Sequence, residues 1–425
     1  MTNIKEIKNN LLKDSYFEID HQSGFKIFVY PKENFSSSYA VFGTKYGSID
    51  TCFRVEGSEK FTEVPEGIAH FLEHKLFESE ELDAFARYAK TGASANAYTS
   101  FDKTCYLFSC TDNFEDSLEI LFDFVQNPYF TEQTVQKEQG IIGQEIRMYE
   151  DEPGWESLFV LLRAMYHKHP VRIDIAGTVE SISEITADLL YECYNTFYNP
   201  ANMALAVAGN VTVEQVLKVA DKMLKPKESK KIERKFQEEP AGVVEKTAVK
   251  NLSVSMPIFA IGFKEEIKTP SRTLKESVES NLLLDIIAGK TSSLYEKLLG
   301  EGLINTTFDT EFFEGYGYSA HIFSGESHEY EKVREYINEE LKRVIKDGVN
   351  KEDFDRIKKK HYGNFIMGFN DIDSISNSLI GSYFNDEGLF EQLSVLESVT
   401  LEDVNNRLRS AINIENSSMS VIKQK

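Results

Sequence analysis

Residues 25–30 and 39–44 are dense in β-branched and aromatic side chains and flank the polar stretch Pro31-Lys32-Glu33-Asn34, a pattern that predicts two strands around a turn. Further on, Ile68, Leu72 and Leu76 recur at i, i+4 and i+8 behind Pro65, which is the signature of a helix with one buried stripe. Residues 91–99 and 104–110, with a turn at 100–102, read as a hairpin. Helices are expected over 114–126 and 131–149, then near 183–197. The break Tyr198-Asn199-Pro200-Ala201-Asn202 leads to a buried-looking strand at 203–208 and a helix at 213–224.

From residue 225 the apolar periodicity stops. Lys225-Pro226-Lys227-Glu228-Ser229-Lys230-Lys231-Ile232-Glu233-Arg234-Lys235 is polar and charge-dense, which predicts a solvated linker over 225–247. Beyond it the element order recurs: a strand at 257–263, helices at 274–288 and from 292, strands at 305–313 and 316–324, and helices at 330–346 and 351–368. The repeat predicts an α+β fold of two duplicated domains, residues 1–224 and 248–425. Each would be an antiparallel-rich sheet with helices on one face.

Composition narrows the function classes. The 425 residues carry a formal charge of −22, which argues against a nucleic-acid or anionic-membrane partner. Four cysteines without a C-x-x-C pair predict reduced, packed thiols. No window has the apolar length of a bilayer span, and Met1-Thr2-Asn3-Ile4-Lys5-Glu6 opens no signal-like segment, so the cytoplasm is the expected compartment.

The candidate chemistry sits in the helix of the Ile68 stripe, as His70-Phe71-Leu72-Glu73-His74. Two histidines four residues apart share one helix face and can grip one metal ion, while the carboxylate between them can take a proton from water activated there. This is the H-x-x-E-H order of inverzincins. A catalytic zinc site needs a third protein ligand. Glu138 and Glu145, seven apart near Ile141 and Ile142, lie on one helix face, and spacing does not choose between them. The second half carries no such motif, so only one half could do metal chemistry.

Taken with the Glu138/Glu145 pair, with Asn96-Ala97-Tyr98-Thr99 followed by Thr104 and Tyr106, and with His169-Pro170, Gly177, Ile182, Tyr198, Pro200, Asn202 and Gly209, the chain resembles the M16 (pitrilysin/insulinase-type) metallopeptidases over nearly its whole length. The resemblance implies a mitochondrial-processing-peptidase-like fold forming half of a clam-shell. It implies one Zn²⁺ held by His70, His74 and Glu145, with Glu73 as general base and Glu138 supporting the site. Asn96 and Ala97, with Tyr98, match family positions that hold substrate main chain on a Gly/Ala/Ser-rich strand. The nearest pattern is the zinc-bearing member of short bacterial M16 pairs.

One departure stands out. Where self-sufficient relatives carry an Arg and a Tyr, this chain has Leu299 and Asn305. The expected partner is therefore a second M16-like chain that supplies the pair, or a second copy of this chain. The expected function is endopeptidase cleavage of short or unfolded peptides; a scaffold role and a dedicated maturation role are the alternatives. His167 and His169 are expected to pack or cap, His361 to lie on a solvated face, and Trp155 to anchor packing. His321 and His328 fall in the motif-free half, and Cys105 and Cys110 face opposite sides of a strand.

Overall fold

The structure is a computed structural model that describes residues 2–80, 82–267 and 271–425. Strands β1 (Asn3–Asn9) and β2 (Asp14–Asp20) lead into β3 (Lys26–Pro31) and β4 (Ser38–Thr44). A short pair, β5 (Cys52–Val55) and β6 (Thr62–Glu63), precedes α1 (Ile68–Leu76) and α2 (Ala84–Thr91). The hairpin β7 (Ser94–Thr99) and β8 (Thr104–Cys110) is followed by α3 (Phe114–Gln126), α4 (Glu132–Glu150) and α5 (Pro153–Met165). Then come α6 (Val179–Ser183), α7 (Ala187–Phe197), β9 (Met203–Gly209), α8 (Val213–Met223) and β10 (Ile232–Arg234). The second half opens with β11 (Thr247–Leu252), β12 (Ile258–Lys264), α9 (Leu274–Ala288), α10 (Ser293–Gly300), β13 (Asp309–Gly315) and β14 (Tyr318–Glu326). It closes with α11 (Tyr330–Asp347), α12 (Lys351–Gly368), α13 (Ile372–Phe384), α14 (Glu391–Ser398), α15 (Leu401–Ala411) and β15 (Ser417–Gln424).

These elements form two mixed α+β units whose boundaries cross those expected from sequence. Unit 1 comprises Met1–Ile146, Asp174–Lys235 and Ile366–Phe390; unit 2 comprises Arg147–Ile173, Phe236–Phe365 and Glu391–Lys425. Each half of the chain thus gives one helix to the other half's unit: α5 packs in unit 2 and α13 in unit 1.

In unit 1 the seven strands run in the order β1-β2-β3-β9-β4-β8-β7, antiparallel except for β3 beside β9. The strand period of two sorts side chains between two buried faces. Ala40, Phe42, Leu205 and Val207 join the core that includes α1, α3 and α8. Tyr39, Val41 and Gly43 alternate with them, as do Ala204, Ala206 and Ala208, on the face that receives α13. Helices therefore cover both faces rather than the one expected, which explains why residues 39–44 and 203–208 read as unbroken apolar runs.

Unit 2 repeats the plan with five strands, β11-β15-β12-β14-β13. Its core joins α9, α10, α11 and α15 to one face, while α5 lies against β11, β12 and β15. The two central strands share one device. At Gly43 an added Cβ would stand 2.9 Å from Ile380 of α13, and at Gly262 it would stand 2.5 Å from Met165 of α5. Two residues on, Lys45 donates to the carbonyl of Phe384 and Lys264 to that of Met165, each the last residue of the helix it caps. A cation placed on the exposed carbonyls of a helix end is favourable.

The segment expected as a solvated linker is more ordered than its composition suggests. Ile232–Arg234 pairs antiparallel with β5, and Arg234 reaches the buried Asp50 at 2.6 Å. Glu239 accepts the backbone N–H groups of His167, Lys168 and His169 and pairs with Lys264. A charge-dense stretch with few apolar residues still orders when its charges find fixed partners.

Candidate metal centre

The site belongs to unit 1 and is built on α1. Gly67 starts the helix with φ 86°, and a Cβ there would fall 2.2 Å from the carbonyl oxygen of Ala176; Gly177, with φ 75°, makes the reciprocal close approach to Glu66. Only glycine accepts both the positive φ and the contact. The Ser181 hydroxyl donates to the Glu66 carbonyl at 2.9 Å and fixes the crossing. α1 buries Ile68, Ala69, Phe71, Leu72 and Leu76, a wider apolar face than the i, i+4, i+8 stripe alone.

The opposite face carries the motif. His70 Nε2 stands 3.7 Å from Glu145 Oε1, and His74 Nε2 stands 3.4 Å from Glu145 Oε2. These gaps are long for hydrogen bonds, so the three groups converge without satisfying one another. They lie at or just above the separation of roughly 3.3–3.6 Å between neighbouring donors that share one ion at bonds of about 2.0–2.2 Å. Among the described residues, His70, His74 and Glu145 form the one His/Cys/Asp/Glu group whose ligand atoms gather closely enough, within 4.8 Å, to hold a metal ion.

Protonation suits the same arrangement. Burial, with the neighbouring His74 ring, pulls His70 down to about 3, so its imidazole is neutral, the form that ligates metals. Burial also pulls His74 down, but its hydrogen bond to Glu138 and the surrounding carboxylates outweigh that and raise it. Its Nδ1 lies 3.1 Å from Glu138 Oε1, so a proton held there leaves the Nε2 lone pair for the site. Glu73 is only 8% exposed, and burial raises its pKa above the ordinary carboxylate value despite the hydroxyl of Thr99, which donates to Oε2 at 2.7 Å. A carboxylate made more basic in this way is a better proton acceptor.

The geometry separates the two glutamates that spacing left equivalent: Glu145 faces both imidazole Nε2 atoms, and Glu138 touches the far nitrogen of His74. The expected isoleucine surroundings hold only in part, because Ile142 is buried but Ile141 is 45% exposed. On β7, the outer edge of the sheet, Asn96 is exposed and its Oδ1 accepts from the Ala97 N–H at 2.9 Å. Two residues on, and on the same strand face as Asn96, Tyr98 points away from α1, and its hydroxyl donates to Asn377 of α13. Sequence reading gave no role to Thr99, although its place two residues beyond Ala97 on one strand face was a usable signal. It also missed Lys75, fully buried on α1 beside the motif and paired with Glu78.

In unit 2, Leu299 is exposed on α10 and Asn305 donates to Glu326. His169 caps Pro170–Arg172 through Nδ1, and burial lowers it to about 4. His361 pairs with Asp285 at 3.0 Å rather than lying on a purely solvated face. Trp155 stacks on Tyr149. All four cysteines are free thiols. No helix among the described residues is long and apolar enough to cross a membrane.

Two helix-covered α+β units, one carrying a two-histidine, one-glutamate donor set, have counterparts among known proteins. The family model described as Insulinase (Peptidase family M16) matches residues 56–179, and that described as Peptidase M16 inactive domain matches residues 184–360. A Bacillus subtilis (strain 168) protein named uncharacterized zinc protease YmfH is 43% identical over 414 residues, 96% of each chain. A crystal structure from Alicyclobacillus acidocaldarius, described as M16-like peptidase, superposes with a TM-score of 0.92 at 35% identity, covering 100% of this chain and 99% of that one. Pitrilysin shares the fold, with a TM-score of 0.76 at 16% identity, and this chain spans 47% of its length. The chain belongs to peptidase family M16.

Proposed function

We propose that the chain is a zinc-dependent endopeptidase that hydrolyses short or unfolded peptides, with Glu73 as general base. The observation that carries this reading is the convergence of His70 Nε2, His74 Nε2 and Glu145 beside a buried carboxylate. His70, His74 and Glu145 would hold a zinc ion that would supply water activation and carbonyl polarisation. Glu73 takes the proton of the attacking water and hands it to the departing amine nitrogen. Glu138 keeps the His74 ring oriented through Nδ1. The open edge of β7 accepts an extended peptide as an added strand, and the Ala97 N–H, now capped by Asn96, is the donor such a strand would take over.

The partner proposal rests on Leu299 and Asn305. Neither is a cationic or phenolic donor, and the chain matches about half the length of pitrilysin. We place a second half-length M16 chain as the source of the missing donors; loss of such a transition-state donor costs about 10²–10³ in rate. The test of the enzyme reading is Glu73→Gln in the protein purified with its partner. Expected are zinc content equal to wild type and peptide cleavage lower by about 10²–10⁴. Equal cleavage by the variant would discard the reading, and full biological activity without cleavage would favour a scaffold.

A further inference from the structure

Glu73 does not stand alone. Its Oε2 accepts the Thr99 hydroxyl at 2.7 Å, the Thr99 oxygen lies 3.3 Å from the Thr104 hydroxyl, and Thr104 donates to the carbonyl of Tyr46 at 2.8 Å. The Tyr46 carbonyl can only accept, so it commits the one hydrogen of Thr104. Thr104 therefore has none for Thr99, and the Thr99 hydrogen goes to the nearer, charged acceptor. Thr104 is fully buried and Thr99 sits at the C-terminal end of β7, so the arrangement is held by the sheet and not by solvent.

We propose that Thr99 is a positioning residue that holds the Glu73 carboxyl in one orientation throughout the proton transfer, an inference that rests on the peptidase reading above. Engaging Oε2 leaves Oε1 as the atom that handles the proton. When Glu73 is a carboxylate, Oε2 accepts from Thr99. When Oε1 has taken the proton of water, Oε2 is the carbonyl oxygen of the acid and still accepts from Thr99. The restraint thus survives both protonation states with no rearrangement, and the proton leaves from Oε1 to the amine. Thr99 also ends the edge strand on which the peptide is proposed to pair, so a bound peptide and the residue that holds the base share one strand.

Two variants test this. Thr99→Val keeps the volume and the β-branched shape but removes the donor, and Thr99→Ser restores it. In the zinc-loaded complex, Thr99→Val is expected to lower kcat about 10- to 100-fold with KM and zinc content close to wild type, and Thr99→Ser to recover most of the loss. Crystal structures of the metal-free proteins give an activity-independent readout: one Glu73 rotamer in wild type and Thr99→Ser, more than one in Thr99→Val. An unchanged single rotamer and unchanged kcat in Thr99→Val, or a Thr99→Ser protein as impaired as Thr99→Val, would overturn the proposal. If the rotamer result holds while the wild-type complex cleaves no peptide, the peptidase reading fails and only the restraint of Glu73 by Thr99 stands.

Discussion

The two units are built on the same plan and use it in opposite ways. In both, a central strand carries Gly-x-Lys, the glycine admits a helix against one sheet face, and the lysine caps that helix: Gly43, Lys45 and α13 in unit 1, Gly262, Lys264 and α5 in unit 2. In both, the helix after the central strand is tied to the end of the sheet's edge strand. Unit 1 does this through Glu73 and Thr99, and unit 2 through Ser277 and Glu314 at 2.8 Å. What differs is the face of that helix. α1 presents His70, Glu73 and His74, and the two histidines meet Glu145 without satisfying it. Unit 2 pairs the charges beside its matching helix with one another: Arg407 is bidentate to Glu265 at 2.7 and 2.9 Å and donates to Ser280 of α9. A scaffold repeated within one chain can hold a reactive cluster in one copy and neutralise the matching interior in the other, because the shared packing device lies on the opposite sheet face.

The capping lysines are where the two units are expected to differ most in stability. Lys264 serves the carbonyls of Met165, Pro240 and Gly242 and pairs with the nearly buried Glu239, whereas Lys45 makes its capping bond to Phe384. Lys264→Met is expected to cost about 3–5 kcal/mol, because it removes the cation of a nearly buried ion pair and the donor to three carbonyls. Lys45→Met is expected to cost about 1 kcal/mol, the scale of one hydrogen bond. Urea unfolding of both variants checks the order, and equal losses would mean that the two devices are equivalent.

A second, smaller effect is confined to unit 2. His321 is fully buried on β14, and neither ring nitrogen has a hydrogen-bond partner among the described residues. Burial, with the positive charges of Arg407 and Arg272, lowers it from 6.5 to about 3. Between those values the unfolded chain takes up a proton that the folded chain refuses, so stability is intact above 6.5 and falls as the pH drops, by about 1.4 kcal/mol per unit. At pH 5 the loss from this residue is about 2 kcal/mol. His321→Leu is expected to remove that share, seen as a smaller drop in urea midpoint from pH 7.5 to 5 than wild type shows.

Much of this was legible beforehand where the determinants are local. The α1 motif, the β7–β8 hairpin and the strand at β9 follow from spacing and from turn residues. The choice of Glu145 over Glu138 was not legible in the residues alone, since a helix puts both on one face and only the partner helix decides which meets the imidazoles. The exchange of α5 and α13 was hidden for a similar reason: an apolar helix face does not say which sheet it will cover. α13 itself was readable, because Ile372, Ile375, Leu379 and Ile380 repeat at helical spacing. So was the duplication device, as Phe42-Gly43-Thr44-Lys45 against Ile261-Gly262-Phe263-Lys264.

The proposed chemistry depends on one metal ion shared by His70, His74 and Glu145. It is tested most directly by anomalous diffraction at the zinc edge from crystals grown with stoichiometric zinc. A single peak is expected about 2.0–2.2 Å from His70 Nε2, His74 Nε2 and a Glu145 oxygen. A peak held by other residues, or none at these three, would contradict it.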